Sequence, residues 1–240
     1  RFSDFTTTPS PLRGKRSSCP SRIRRQRMSL SRYRYVVVEG PIGAGKTSLT
    51  HRLAERMGAD TLLENAGDNP FLPRFYQEPR RYALPTQLHF LFDRTRQLRD
   101  LAQGDLFRAG TVSDFLIDKD MLFARMNLDD DEFELYQKVY ADLAPQAPTP
   151  DLVIYLQAPI DALQERVKRR GVDFERGMDA GYLQRLANSY SEFFHRYEAA
   201  PLLIVNTGNL NFAESEADFE LLVERMSKMR GPREFFNRAA

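Results

Sequence analysis

The chain has 240 residues, 42% of them hydrophobic, which is enough for the core of one α/β domain. No stretch approaches the ~20 apolar residues of a membrane span, and Cys19 stands alone; a soluble protein without a disulfide framework, in a reducing compartment, is expected. The net charge of +2 is unevenly divided: residues 1–27 carry seven Arg, one Lys and one Asp, hence +7, which leaves −5 for the other 213 and argues against a nucleic-acid surface there.

In chain order, residues 1–30 read as a disordered basic extension, rich in Ser, Pro and Arg and without apolar periodicity. A transit peptide, a nucleic-acid-binding arm and translated sequence upstream of the true start are the competing origins. Met28, just before the first strand, favours the last. A cytoplasmic location follows, a mitochondrial one only for a genuine transit peptide. Residues 31–240 read as one domain.

A strand is expected at 33–39, where Tyr35 to Val38 form an apolar β-branched run. Gly40-Pro-Ile-Gly-Ala-Gly-Lys-Thr47 follows as a complete phosphate-binding loop, and a helix over 46–57 ends at Gly58. Strand, loop and helix together aim backbone N–H groups at an anion. Gly40, Pro41, Ile42, Gly43, Ala44, Gly45, Lys46, Thr47 and Ser48 are the candidate ATP contacts. Lys46 is expected to reach the β- and γ-phosphates and Thr47 to hold Mg²⁺.

A short strand, Thr61 to Glu64, leads to a loop rich in turn residues, then helical segments at 70–77 and 86–103. Glu64, at a strand's carboxyl end, is placed to accept a hydroxyl proton; the competing reading is a solvated strand end. Gln87 and Arg94 fall on one helix face with Phe90, a combination suited to a nucleobase edge, although an ordinary half-exposed helix has the same pattern. The strand at 110–114 ends in Asp114, which reads as a Mg²⁺ ligand or a helix N-cap. Helices at 119–127 and 131–143, a Pro-rich linker at 145–150 and the apolar strand Leu152 to Leu156 come next. A helix at 160–170 ends at Gly171, around which Arg166, Lys168, Arg169, Arg170 and Arg176 form a cationic cluster that suits a phosphate clamp or a helix C-terminus. A helix at 179–199, a strand at 202–205 and a helix at 215–229 close the pattern. Alternating strands and helices imply a parallel sheet, expected here with five strands, covered on both faces and binding ligands at its carboxyl edge.

This ordered set resembles the deoxynucleoside kinase family, from about Tyr33 to Met229. The resemblance implies a P-loop kinase fold with an Arg-rich lid, ATP and Mg²⁺, a small-molecule deoxynucleoside as acceptor, a homodimer and no membrane partner. It implies Glu64 as base toward the 5′-hydroxyl, and Tyr76 and Glu175 on the 3′-hydroxyl. It also implies Gln87, Arg94 and Phe123 around the base, and Arg166 and Arg170 on phosphates. Glu64-Asn-Ala-Gly-Asp-Asn-Pro-Phe-Leu72 resembles bacterial deoxypurine-type members more than mammalian ones. The family's acid-Arg-Ser triplet is altered to Asp114-Phe115-Leu116. Lys119 or a lid arginine is expected to supply the missing cation, and Asp118 or Asp120 to pair with Arg94. The alternatives are a nucleoside monophosphate kinase using Arg94, Arg96 and Arg99, a P-loop GTPase, for which no Asn-Lys-x-Asp motif is present, and a nucleic-acid-binding ATPase resting on the basic extension.

Overall fold

Consecutive strand residues point to opposite faces, so a run buried at every position needs cover on both sides. Val36, Val37 and Val38 are all 0% exposed, and they form the centre of strand β1 (Tyr35–Glu39). The structure, a computed structural model, describes residues 30–103, 110–143, 147–172 and 180–238. Residues 1–29 of the basic extension, Glu175 and Arg176 lie outside the described residues.

The other strands are β2 (Asp60–Leu62), β3 (Thr111–Ser113), β4 (Leu152–Gln157), β5 (Leu202–Asn206) and β6 (Arg233–Phe236). They form one parallel sheet in the order β2-β3-β1-β4-β5-β6. From β1 the chain builds one edge, and after crossing to β4 it builds the other. The phosphate loop leaves β1 in this central region, where open α/β sheets gather ligands.

The expected count of five strands is corrected to six among the described residues. β6 pairs only with β5, begins with two charged residues and leaves Phe235 66% exposed. An edge strand of this kind lacks both the alternation and the apolar run that betray a strand in sequence.

The helices are α1 (Lys46–Met57), α2 (Leu72–Phe75), α3 (Pro79–Gln103), α4 (Asp120–Asn127), α5 (Asp130–Leu143), α6 (Ile160–Arg170), α7 (Ala180–Arg196) and α8 (Glu216–Lys228). Most match the expected spans to within three residues. The exception is α3, expected from 86 and observed from Pro79, because Pro85 lies inside it rather than ahead of it. Proline near a helix start imitates a first position in sequence. Leu49 and Leu53 of α1, Tyr190 and Phe194 of α7 and Phe219 and Leu222 of α8 pack in one core with the strands. A second cluster joins Leu91 and Leu98 of α3 to Tyr136 of α5, and Phe115 is buried within it. No helix among the described residues is long and apolar enough to cross a membrane.

Candidate active site

At the carboxyl edge of the sheet a cavity of about 770 Å³ opens between the phosphate loop, α3 and α6. Ile42 to Ser48 line one end of it. Gly43 and Gly45 adopt φ of 84° and 94°, a region other residues seldom enter. Gly45 directly precedes α1, so the loop delivers the first N–H groups of that helix to the cavity. Lys46 Nζ donates to the carbonyls of Gly40, at 2.7 Å, and Pro41, at 3.3 Å. Burial lowers the Lys46 pKa; Glu39 opposes this and Lys119 adds to it.

Thr47 Oγ1 donates to Asp114 Oδ2 at 2.7 Å, and Asp114 Oδ1 accepts the Glu64 N–H at 2.7 Å. Asp114 is thus not an N-cap. Burial pushes its carboxyl up, while the Thr47 hydroxyl and the Glu64 N–H pull it down. A hydroxyl and one carboxylate at the mouth of a phosphate loop fit Mg²⁺, which takes few protein ligands and completes its shell from phosphate and water. Among the described residues no group of three or more His, Cys, Asp or Glu side chains is arranged to hold a metal ion.

Glu64 lies two residues beyond β2 and lines the same cavity. Its Oε1 accepts from Arg94 Nε at 2.7 Å and from Arg94 Nη2, and Lys119 Nζ lies 3.6 Å from Oε2. Burial alone would raise this carboxyl; Arg94 and then Lys119 outweigh it and lower its pKa to about 2. Arg94 Nη1 donates to Asp120 Oδ1, so Asp120 and not Asp118 is the partner of Arg94. The Arg94 guanidinium therefore spans two carboxylates at the cavity wall.

Gln87, 4% exposed, lines the apolar end of the cavity with Tyr76, Phe90 and Phe123. Arg166 and Arg170 line the phosphate end. Arg166 Nη1 donates to Thr207 Oγ1 at 3.1 Å and Nη2 to the Thr207 carbonyl at 2.7 Å. Burial, then Arg169, lowers its pKa. Gly40 and Pro41 face Lys46 rather than the cavity.

Several residues at the wall or behind it escaped the sequence reading. The segment 207–213, after β5, borders the phosphate end, and its Gly208-Asn209 turn at a strand's carboxyl end was the available signal. Glu39, 0% exposed, accepts from the Gly40 N–H, the Leu116 N–H and the Tyr190 hydroxyl. Its partners come from three separate chain regions, so no local pattern announces it.

The chain resembles known proteins along most of its length. A family model described as Deoxynucleoside kinase matches residues 36–229. The deoxyguanosine kinase of Bacillus subtilis (strain 168) is 30% identical over 200 residues, covering 81% of this chain and 97% of that protein. The deoxyadenosine kinase of Lactobacillus acidophilus is 33% identical over 210 residues, covering 81% and 96%. Each alignment spans nearly the whole of the relative. A solved structure of deoxyadenosine kinase from M. mycoides with bound dATP superposes with a TM-score of 0.72 at 21% identity, covering 82% of this chain and all of that one. At that identity the likeness speaks for the fold.

Proposed function

Because the chain belongs to the deoxynucleoside kinase family, whose members phosphorylate deoxynucleosides with ATP, we propose how its own residues divide that work. The observation that carries the reading is Glu64, an ionised carboxylate held by cations where the phosphate loop meets the apolar end of the cavity.

ATP lies along Gly43 to Ser48, with Lys46 on its β- and γ-phosphates. The acceptor's base lies between Gln87, Phe90 and Phe123, and Tyr76 and Glu175 take the 3′-hydroxyl. The 5′-hydroxyl then meets Glu64 Oε2, the oxygen that Arg94 leaves open. Glu64 orients that hydroxyl and accepts its proton as the bond to the γ-phosphorus forms. A pKa of about 2 makes it a weak base. That suits a loose transition state, in which the oxygen loses its proton late and positioning matters most. Arg166 and Arg170 offset charge on the transferring group. Thr47 and Asp114 would hold Mg²⁺, which supplies further charge neutralisation when bound. Arg94 serves this scheme by fixing Glu64, and Asp120 holds Arg94 in turn.

A deoxypurine is the favoured acceptor. The loop after Glu64 and the names of the relatives above support this choice. A homodimer and a cytoplasmic location complete the reading. The exposed apolar side chains Phe92 and Leu135 support the first, and the bacterial relatives the second.

A monophosphate acceptor would require further cations beside Glu64. Of the arginines expected to serve that role, Arg96 and Arg99 are exposed and away from the cavity, and Arg94 is engaged by two carboxylates. ADP release with ATP and Mg²⁺, measured against the four deoxynucleosides and their 5′-monophosphates, tests the proposal. Turnover is expected with a deoxypurine nucleoside and with no monophosphate. Turnover with a monophosphate alone would replace it.

A further inference from the structure

Lys119 is among the most enclosed charged residues described. Its side chain is 2% exposed, yet it reaches the cavity wall. Burying an ammonium is costly unless opposite charge and hydrogen bonds surround it. Two carboxylates do so here. Glu39 lies on one side, with Oε2 at 3.3 Å and Oε1 at 3.5 Å from Nζ. Glu64 lies on the other, with Oε2 at 3.6 Å.

The two carboxylates are not equivalent. Glu39 is immobilised by other donors: the Gly40 N–H at 3.0 Å, the Tyr190 hydroxyl at 2.9 Å and the Leu116 N–H at 2.8 Å. Glu64 receives Arg94 on Oε1 alone, and the cation nearest its Oε2 is Lys119. Glu39 therefore anchors the ammonium, and the ammonium fixes the free oxygen of Glu64. The anchor is also the residue that precedes the phosphate loop, so the chain Gly40–Glu39–Lys119–Glu64 joins the donor end of the cavity to the acceptor end. Phe115, by contrast, is turned into the second core cluster and offers the cavity nothing.

We propose that Lys119 is a positioning residue for phosphoryl transfer: anchored on Glu39, it holds Glu64 Oε2 and its charge beside the acceptor's 5′-oxygen. This rests on Glu64 serving as the base. An ammonium carries three donors, so two carboxylates leave one for the oxygen from which the proton departs. A fixed cation there favours the transition state over the ground state.

A structural role alone, neutralising Glu39, makes a different prediction, and a pair of variants separates the two. Lys119→Met leaves Glu39 without its counter-charge and is expected to lower Tm as well as turnover. Glu39→Gln combined with Lys119→Met removes both charges together, a change that buried pairs often tolerate. That double variant is expected to regain most of the lost Tm and to bind ADP as the wild type does. Its kcat should stay about 100-fold low, with a much smaller change in deoxynucleoside KM. Lys119→Arg, which keeps a cation between the carboxylates, is expected to recover most of the turnover. Wild-type turnover in the double variant, or a Lys119→Arg protein as slow as Lys119→Met, would overturn the proposal. The wild-type protein is assayed alongside. Its silence toward every deoxynucleoside would sink the reading of Glu64 itself, whereas an active wild type with fast variants would sink only the role of Lys119.

Discussion

At Glu64 the charges of the cavity meet: Arg94 on one oxygen, Lys119 beside the other, and Asp114 beneath its N–H. Glu64→Gln keeps the shape and removes the proton acceptor. A fall in kcat of about 10²–10⁴ is expected with ADP affinity unchanged; wild-type turnover would remove Glu64 from its role. The same variant has a signature in stability. The Glu64 pKa is about 2 in the fold, below its ordinary value of 4.5. Its ionised form therefore stabilises the fold above about pH 4.5, and that contribution fades as pH falls toward 2. The stake is on the order of 3 kcal/mol at most. Tm measured from pH 6 to pH 2.5 should fall less steeply in Glu64→Gln than in the wild type, and parallel curves would contradict the shift.

Elements position the site through close approach. The phosphate loop rests on α6, where a Cβ at Gly43 would lie 2.7 Å from the Leu163 carbonyl. Gly43 also has φ 84°, so an added methyl group meets strain and a backbone clash together. Gly43→Ala is expected to cost about 1–3 kcal/mol and to weaken ATP binding at least tenfold. Calorimetric ADP binding that matches the wild type would show that the loop relaxes at no cost. α6 carries Arg166 as well, held on Thr207, so a shift of this helix reaches both the loop and the clamp.

At the scale of the whole molecule, β6 closes one edge of the sheet and ties the chain end to the core. Arg233 donates to the carbonyls of His195, at 2.8 Å, and Tyr197, at 2.6 Å. Arg238 pairs with Asp218, whose other oxygen accepts the Asn211 N–H at the cavity wall. Truncation after Met229 would expose the β5 edge, whose residues are almost wholly apolar. Such an edge invites pairing with other chains. A Tm lower by several degrees and concentration-dependent aggregation are expected. A truncated protein that melts and sediments like the full chain would show that β6 is dispensable.

The phosphate loop, its strand and its helix were legible in sequence because their requirements are local. A β-branched run, glycines that permit positive φ and a 3.6-residue apolar period each act within a few residues. Asp114 and Glu64 were legible as carboxylates near strand ends for the same reason. The sheet order, the short edge strand β6 and the selection of Asp120 over Asp118 depend on contacts far apart in the chain. So does the hub at Glu39, which draws donors from residues 40, 116 and 190. Arg94 makes the contrast plain. Its helix face followed from spacing, but its engagement by Glu64 and Asp120 was decided only when three segments packed together and left a buried guanidinium to be neutralised. Sequence by itself determined which chemistry is available along the sheet edge. Tertiary structure decided which charges share a partner, because the cost of burying a charge is met by whichever group the fold brings within reach.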